Sequence, residues 1–150
     1  MALNSPAILS ALKTLVDGIS GVQTAYVGMP QAPAGQLVGV VTLGGQEIND
    51  KATGKLLERD ARFRVHFGYA LGDLADAAAV EAAELAMAAA VDLFLVAMFT
   101  ARESWINDAT LGNIKRVDVS APDDPRYAQW PGDEFRLYPL LVVVSQRTTY

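Results

Sequence analysis

The sequence predicts an α+β fold: a mostly antiparallel sheet with a long helix packed across one face, in the order α-β-β-β-α-β-β. Three observations predict it. The stretch from Asp73 to Phe99 contains no Gly or Pro and is rich in Ala, the best helix former. Glu58 to Tyr69 alternates apolar and charged residues, the period of a half-buried strand. The remaining β-rich runs are joined by short or arm-like links, which favours antiparallel pairing with the helices gathered on one face.

In chain order, Ser5-Pro6 is a helix start, with Ser at the cap and Pro at the first helical position. Ile8, Leu12, Leu15 and Val16 form its apolar stripe, and Gly18 and Gly21 end it. Val22 to Gly28 reads as a short strand, and Met29 to Gly35, with two Pro and a Gly, as a loop. Gln36 to Leu43 is apolar on both faces, which predicts a central strand broken by Gly44-Gly45. Residues 46–57 are polar and mixed, and read as a flexible arm between two strands. In Glu58–Tyr69, Ala61, Phe63, Val65, Phe67 and Tyr69 point one way and Asp60, Arg62, Arg64 and His66 the other.

The long helix follows, with Asp73 as its cap and Asp76 in its first turn. Ala79, Ala83, Ala86, Met87, Ala90, Leu93, Phe94 and Ala97 share one face at 100° per residue. Leu95, Val96 and Phe99 fall on the side that carries Glu81, Glu84 and Asp92, so the last two turns are apolar all round. Such a helix is covered on both sides, and in a short chain the second cover is expected from another subunit. The three acids argue against a membrane span, which needs roughly 20 apolar residues in a row. Thr100 to Asn113 reads as a polar connection, and Ile114 to Ser120 as a strand. Ala121 to Asp133, with three Pro, reads as irregular, and Glu134 to Thr148 as the last strand. Pro139 within it predicts a bulge or an edge.

A chain of 150 residues predicts one domain, 1–150, able to bury about 68–70% of its unfolded surface. An apolar fraction of 51% with positive mean hydropathy points to extra surface buried between subunits. No Cys is present, which excludes disulfides, thiolate metal sites and a Cys nucleophile. The single His, His66, excludes a His-only metal cluster. A net charge of −5 argues against a nucleic-acid coat protein. The first residues lack a basic region followed by an apolar core, so no secretory signal is expected and synthesis is expected in the cytoplasm.

The chemistry-bearing patterns are weak. The glycines match neither a phosphate-binding loop nor a dinucleotide fingerprint, and no Gly-x-Ser-x-Gly elbow occurs. Asp123-Asp124 offers too few oxygens for a divalent ion, and Glu81 with Glu84 reads first as a solvated helix face. Arg62, Arg64 and His66 are a wet strand face, with Arg discouraging edge pairing, or a basic patch against a partner. Tyr127 and Trp130 are loop aromatics of the kind that anchor interfaces or fold back over a core. No cofactor or metal is expected, and the pattern favours an assembly protein over an enzyme.

This order of elements resembles the tail terminator proteins of long-tailed bacteriophages. The segments that carry the likeness are Ser5–Gly18, Gln36–Leu43 with Glu58–Tyr69, Asp73–Phe99 and Glu134–Thr148. The resemblance implies a structural virion protein of the tail and neck that forms a hexameric ring on the tail tube. Such a ring ends tube growth and provides the head-tail joining surface. The implied partners are further copies of the chain, the tail tube protein and a head-completion or stopper protein. Viral DNA would pass the lumen without specific binding, and no membrane is involved. On this reading Leu95, Val96, Phe99, Arg62, Arg64 and His66 are expected at the subunit interface. Asn49, Asp50, Lys51, Lys55, Tyr127 and Trp130 are expected to contact tube or connector. The competing readings are another neck protein of the same virion, and a small dimeric α+β domain with a ligand pocket between sheet and long helix.

Overall fold

The computed structural model describes residues 3–31, 33–49, 56–72, 76–130 and 133–149, with the backbone alone at Asn49, Trp130 and Asp133. The elements are α1 (Ser5–Asp17), β1 (Thr24–Val27), β2 (Leu37–Asn49), β3 (Leu56–Ala70), α2 (Ala77–Trp105), β4 (Ile114–Ser120), β5 (Arg126–Trp130) and β6 (Asp133–Thr149). A 3-10 turn, Ala109–Leu111, precedes β4. The α+β order α-β-β-β-α-β-β holds, with β5 added inside the stretch whose prolines predict irregular structure. Pro122, Pro125 and Pro131 all lie outside Arg126–Trp130, so that short run keeps every N–H and pairs with β6.

The sheet runs β1-β2-β3-β6-β4, and β5 also pairs with β6. Among the described strands only β1 with β2 pairs in parallel. β4 and β5 share one flank of β6: β5 lies opposite Asp133–Leu137 and β4 opposite residues 141–146. Pro139 falls in the gap between them. It is neither bulged nor on an edge strand, because β3 pairs with β6 throughout on the other flank. The nitrogen that cannot donate therefore faces a stretch of β6 with no strand partner on that flank among the described residues.

β2 does not stop at Gly44-Gly45. The two glycines form a bulge between Leu43 and Gln46, and pairing with β3 resumes as far as Asn49. Both ends of the expected arm are therefore strand. Gln46–Asn49 belong to β2, Leu56 and Leu57 to β3, and residues 50–55 lie outside the described residues. β3 is a central strand, so Arg62 and Arg64 do not guard an edge.

Both helices cover one face. Ile8, Leu12 and Val16 of α1, and Ala83, Met87, Ala90 and Phe94 of α2, bury against Phe63, Val65 and Phe67 of β3 and Val142 and Val144 of β6. The Phe67 and Phe94 rings meet edge to face at 5.7 Å. α1 reaches the sheet closely because residue 39 is Gly: a Cβ there would stand 2.1 Å from Val16 Cγ1. At one end of this layer buried Arg59 donates to Gln146, Gln46 and Ser5, and Gln146 donates to the carbonyls of Leu111 and Gly112. This cluster ties the start of α1 and the 3-10 turn to three strands. A second apolar cluster, Val38, Val40, Phe135 and Leu137, lies on the opposite face, where Tyr26 packs on it and accepts the N–H of Ala34 at 2.9 Å.

The helix caps differ from expectation by a residue or more. Asn4 caps α1, its side chain accepting from Ala7, and Ser5 is the first helical residue. Asp76 caps α2, accepting from Ala78 at 2.9 Å, while Asp73 lies outside the described residues. α2 also runs six residues past Phe99. Thr100–Trp105 is helical because no Gly or Pro interrupts it, and buried Trp105 anchors the end.

Candidate assembly surfaces

The first surface is the outer face of α2. Its inner stripe is Ala83, Met87, Ala90, Val91, Phe94, Met98 and Trp105. Leu93, expected in that stripe, is exposed, and Leu95, expected outside, is half-buried against the core. Val96 and Phe99 do point outward, at 66% and 54% exposure, and exposed Leu85 lies about three turns earlier on the same side of the helix. Arg102 lies 4.4 Å over the Phe99 ring. Glu84 does not pair with Glu81: it holds Arg136 of β6 at 2.6 Å, and Arg136 in turn lies 4.5 Å over Tyr127.

By length and composition α2 is apolar enough to cross a membrane, despite Glu81, Glu84 and Asp92. Its inner stripe is nevertheless committed to the sheet, and a membrane span would abandon that packing. What remains is an exposed apolar outer face, continued by a groove between the helices. Leu15, Gly18 and Ile19 form one wall of the groove and Leu93, Val96 and Ala97 the other, around about 430 Å³. A smaller hollow of about 230 Å³ adjoins it through Ser20, between Tyr69 and the small side chains of Ala86 and Ala89. It is below the roughly 300–1,000 Å³ of a ligand pocket.

The second surface is the open face of the sheet. Arg62, Arg64 and His66 lie there, on the side away from α2, so the six residues assigned to one interface are divided between opposite faces. The arginines are not a free basic patch. Arg62 stands 3.7 Å from Glu47, Arg64 3.9 Å from Asp123, and Arg116 2.7 Å from Asp118, all exposed. Such pairs contribute about 0–1 kcal/mol each and leave the face close to neutral. His66 sits between Val40 and Pro139 in the register. Burial holds its pKa below the usual 6.5, the charges of Arg126 and Arg64 lower it further, and Asp123 partly offsets them.

The third group is the proposed tube or connector contacts. Tyr127 is exposed on β5 and stacked under Arg136 rather than folded over the core. Asn49 ends β2 and Trp130 ends β5. Asp50, Lys51 and Lys55 lie outside the described residues. Among the described residues no three His, Cys, Asp or Glu side chains converge as metal ligands would.

Sequence reasoning expected a ring to bury strand edges but did not identify which edges are open. Beyond Val41, β2 has no partner on its outer flank among the described residues, and Leu43 and Ile48 there are each 57% exposed. The signal was the polar run after Gly44-Gly45, which a bulge turns into strand rather than arm. No protein-family model matches the chain, and no curated protein matches it in sequence.

Proposed function

We propose that this protein is a structural component of a bacteriophage virion, a tail terminator that forms a hexameric ring on the last ring of the tail tube. It ends tube polymerisation and presents the surface on which the head-completion or stopper protein docks. The observation that carries the reading is the exposed apolar face of α2 with its groove against α1. A 29-residue helix that keeps Leu85, Leu93, Val96 and Phe99 in water belongs to a protein that finishes its burial in an assembly. The near-neutral open face and the net charge of −5 suit a conduit that lets DNA pass without gripping it.

The test uses purified tube protein. Substoichiometric amounts of this chain are expected to halt tube growth in electron micrographs. Averaged views down the tube axis are expected to show six copies at its end. Unchanged tube lengths, or a stable dimer that never associates with tubes, overturn the reading.

A further inference from the structure

We infer that copies of this chain join edge to edge, the outer half of β2 in one copy pairing antiparallel with β4 of the next. This deepens the ring reading and rests on it for closure, but the contact stands on its own geometry.

Residues 42–49 of β2, 58–64 of β3, 141–147 of β6 and 114–120 of β4 lie at one level of the sheet. At that level the sheet has four strands among the described residues, with β2 and β4 as its two flanks. β1 covers β2 only from Val38 to Val41. The segment around Ile106 bridges β4 only at Ile114. Beyond those points both flanks are open among the described residues.

The backbone groups on these flanks follow from the register. Gln23 donates to the Leu37 carbonyl and Gly28 to that of Val41, so odd residues of this part of β2 turn outward, Leu43 among them. Across the bulge, Gln46 and Ile48 oppose Ala61 and Arg59, which continue the parity of Phe63, and they take over the outward role. On β4 the same alternation turns Val117 and Val119 outward.

Each flank thus turns amide and carbonyl groups outward: Gln46 and Ile48 on β2, two residues apart beyond the bulge that separates them from Leu43, and Val117 and Val119 on β4. An open edge flanked by exposed Leu43 and Ile48 is a template for another strand. Following β2, β3, β6 and β4 across the sheet, direction alternates at each step. A neighbour's β4 therefore meets β2 antiparallel, and the sheet continues from copy to copy.

Charge selects this pairing over a symmetric one of β2 with β2. The outer half of β2 carries Glu47 and no cation, whereas β4 carries Lys115 and Arg116 with Asp118. Setting Gln46 opposite Val117 places Glu47 opposite Arg116, where opposite charges attract across strands. Pairing β2 with β2 would bring Glu47 toward its own copy. The contact is therefore head to tail, the type that closes into rings when the rotation permits.

The chain has no Cys, so a thiol pair can be read cleanly. In the E47C/R116C variant, mild oxidation is expected to give a covalent ladder that thiol reduces. A mixture of the two single variants is expected to give covalent dimers only. Cross-linking by E47C alone means a symmetric β2–β2 contact and overturns the inference, as does a double variant that yields no disulfide. A ladder that never closes at six upholds the edge contact and sinks the ring reading; hexamers without disulfide do the reverse. As a second measurement, Ile48→Pro removes an outward donor and no internal ladder bond. It is expected to keep the melting temperature while weakening self-association about ten-fold. Unchanged self-association overturns the inference.

Discussion

His66 Nδ1 is buried without a hydrogen-bond partner on the face away from the helices. Burial and the nearby Arg126 and Arg64 charges favour the neutral ring, so its folded pKa lies below the 6.5 of an ordinary His. The unfolded chain therefore takes up the proton first as pH falls. The stability associated with the neutral ring is complete above pH 6.5. It is lost as pH drops from there through the folded pKa. Urea melts at pH 7.5 and 5.5 are expected to show that loss, with His66→Leu losing less than the parent and no less stable at pH 7.5. Equal losses in both proteins would place the titrating group elsewhere. The alternation of Glu58–Tyr69 puts His66 on the wet face, as found. Its partial burial depends on Val40 and Pro139, and its lowered pKa also on the Arg126 charge, all far off in the chain. Gly39 and Arg59 were illegible for the same reason. One is needed only because Val16 presses on it, and the other is buried only because Gln146, Gln46 and Ser5 converge on it.

At the level of elements, period and composition made the long helix and the alternating strand legible. Boundaries and phase were less so. Ideal spacing put Leu93 inward, but the inner stripe passes through Val91, Phe94 and Met98 to Trp105, which carries it past Leu93. Trp105 lay in a stretch read as a connection, so it could not set the phase. The corrected phase separates two kinds of substitution. Phe94→Ala removes a ring fully buried against Phe67 and is expected to cost about 3–5 kcal/mol. Val96→Asp changes a side chain already in water and is expected to stay within about 0.5 kcal/mol. Chemical denaturation of both variants checks this. A large loss for Val96→Asp would mean that the outer face of α2 is covered within one chain.

For the whole molecule, the two helices occupy one layer and the open strand edges lie in the plane of the sheet. Edge-to-edge pairing therefore leaves the outer face of α2 uncovered in a ring, available to the tube or to the joining protein. On the proposed edge contact, the interface residues expected from the sequence divide by role: Val96 and Phe99 would meet a partner above the helix layer, and the strands would carry the lateral contact. Six copies of a 16.0 kDa chain give about 96 kDa. Val96→Asp is expected to keep the ring mass by native mass spectrometry and yet fail to halt tube growth, because the charge blocks an apolar docking face without touching the edges. Ile48→Pro is expected to do the opposite at protein concentrations near the ring's dissociation constant: lose ring mass while α2 remains intact. If Val96→Asp also dissolves the ring, the lateral contact runs through α2, and the roles of helix face and strand edge must be exchanged.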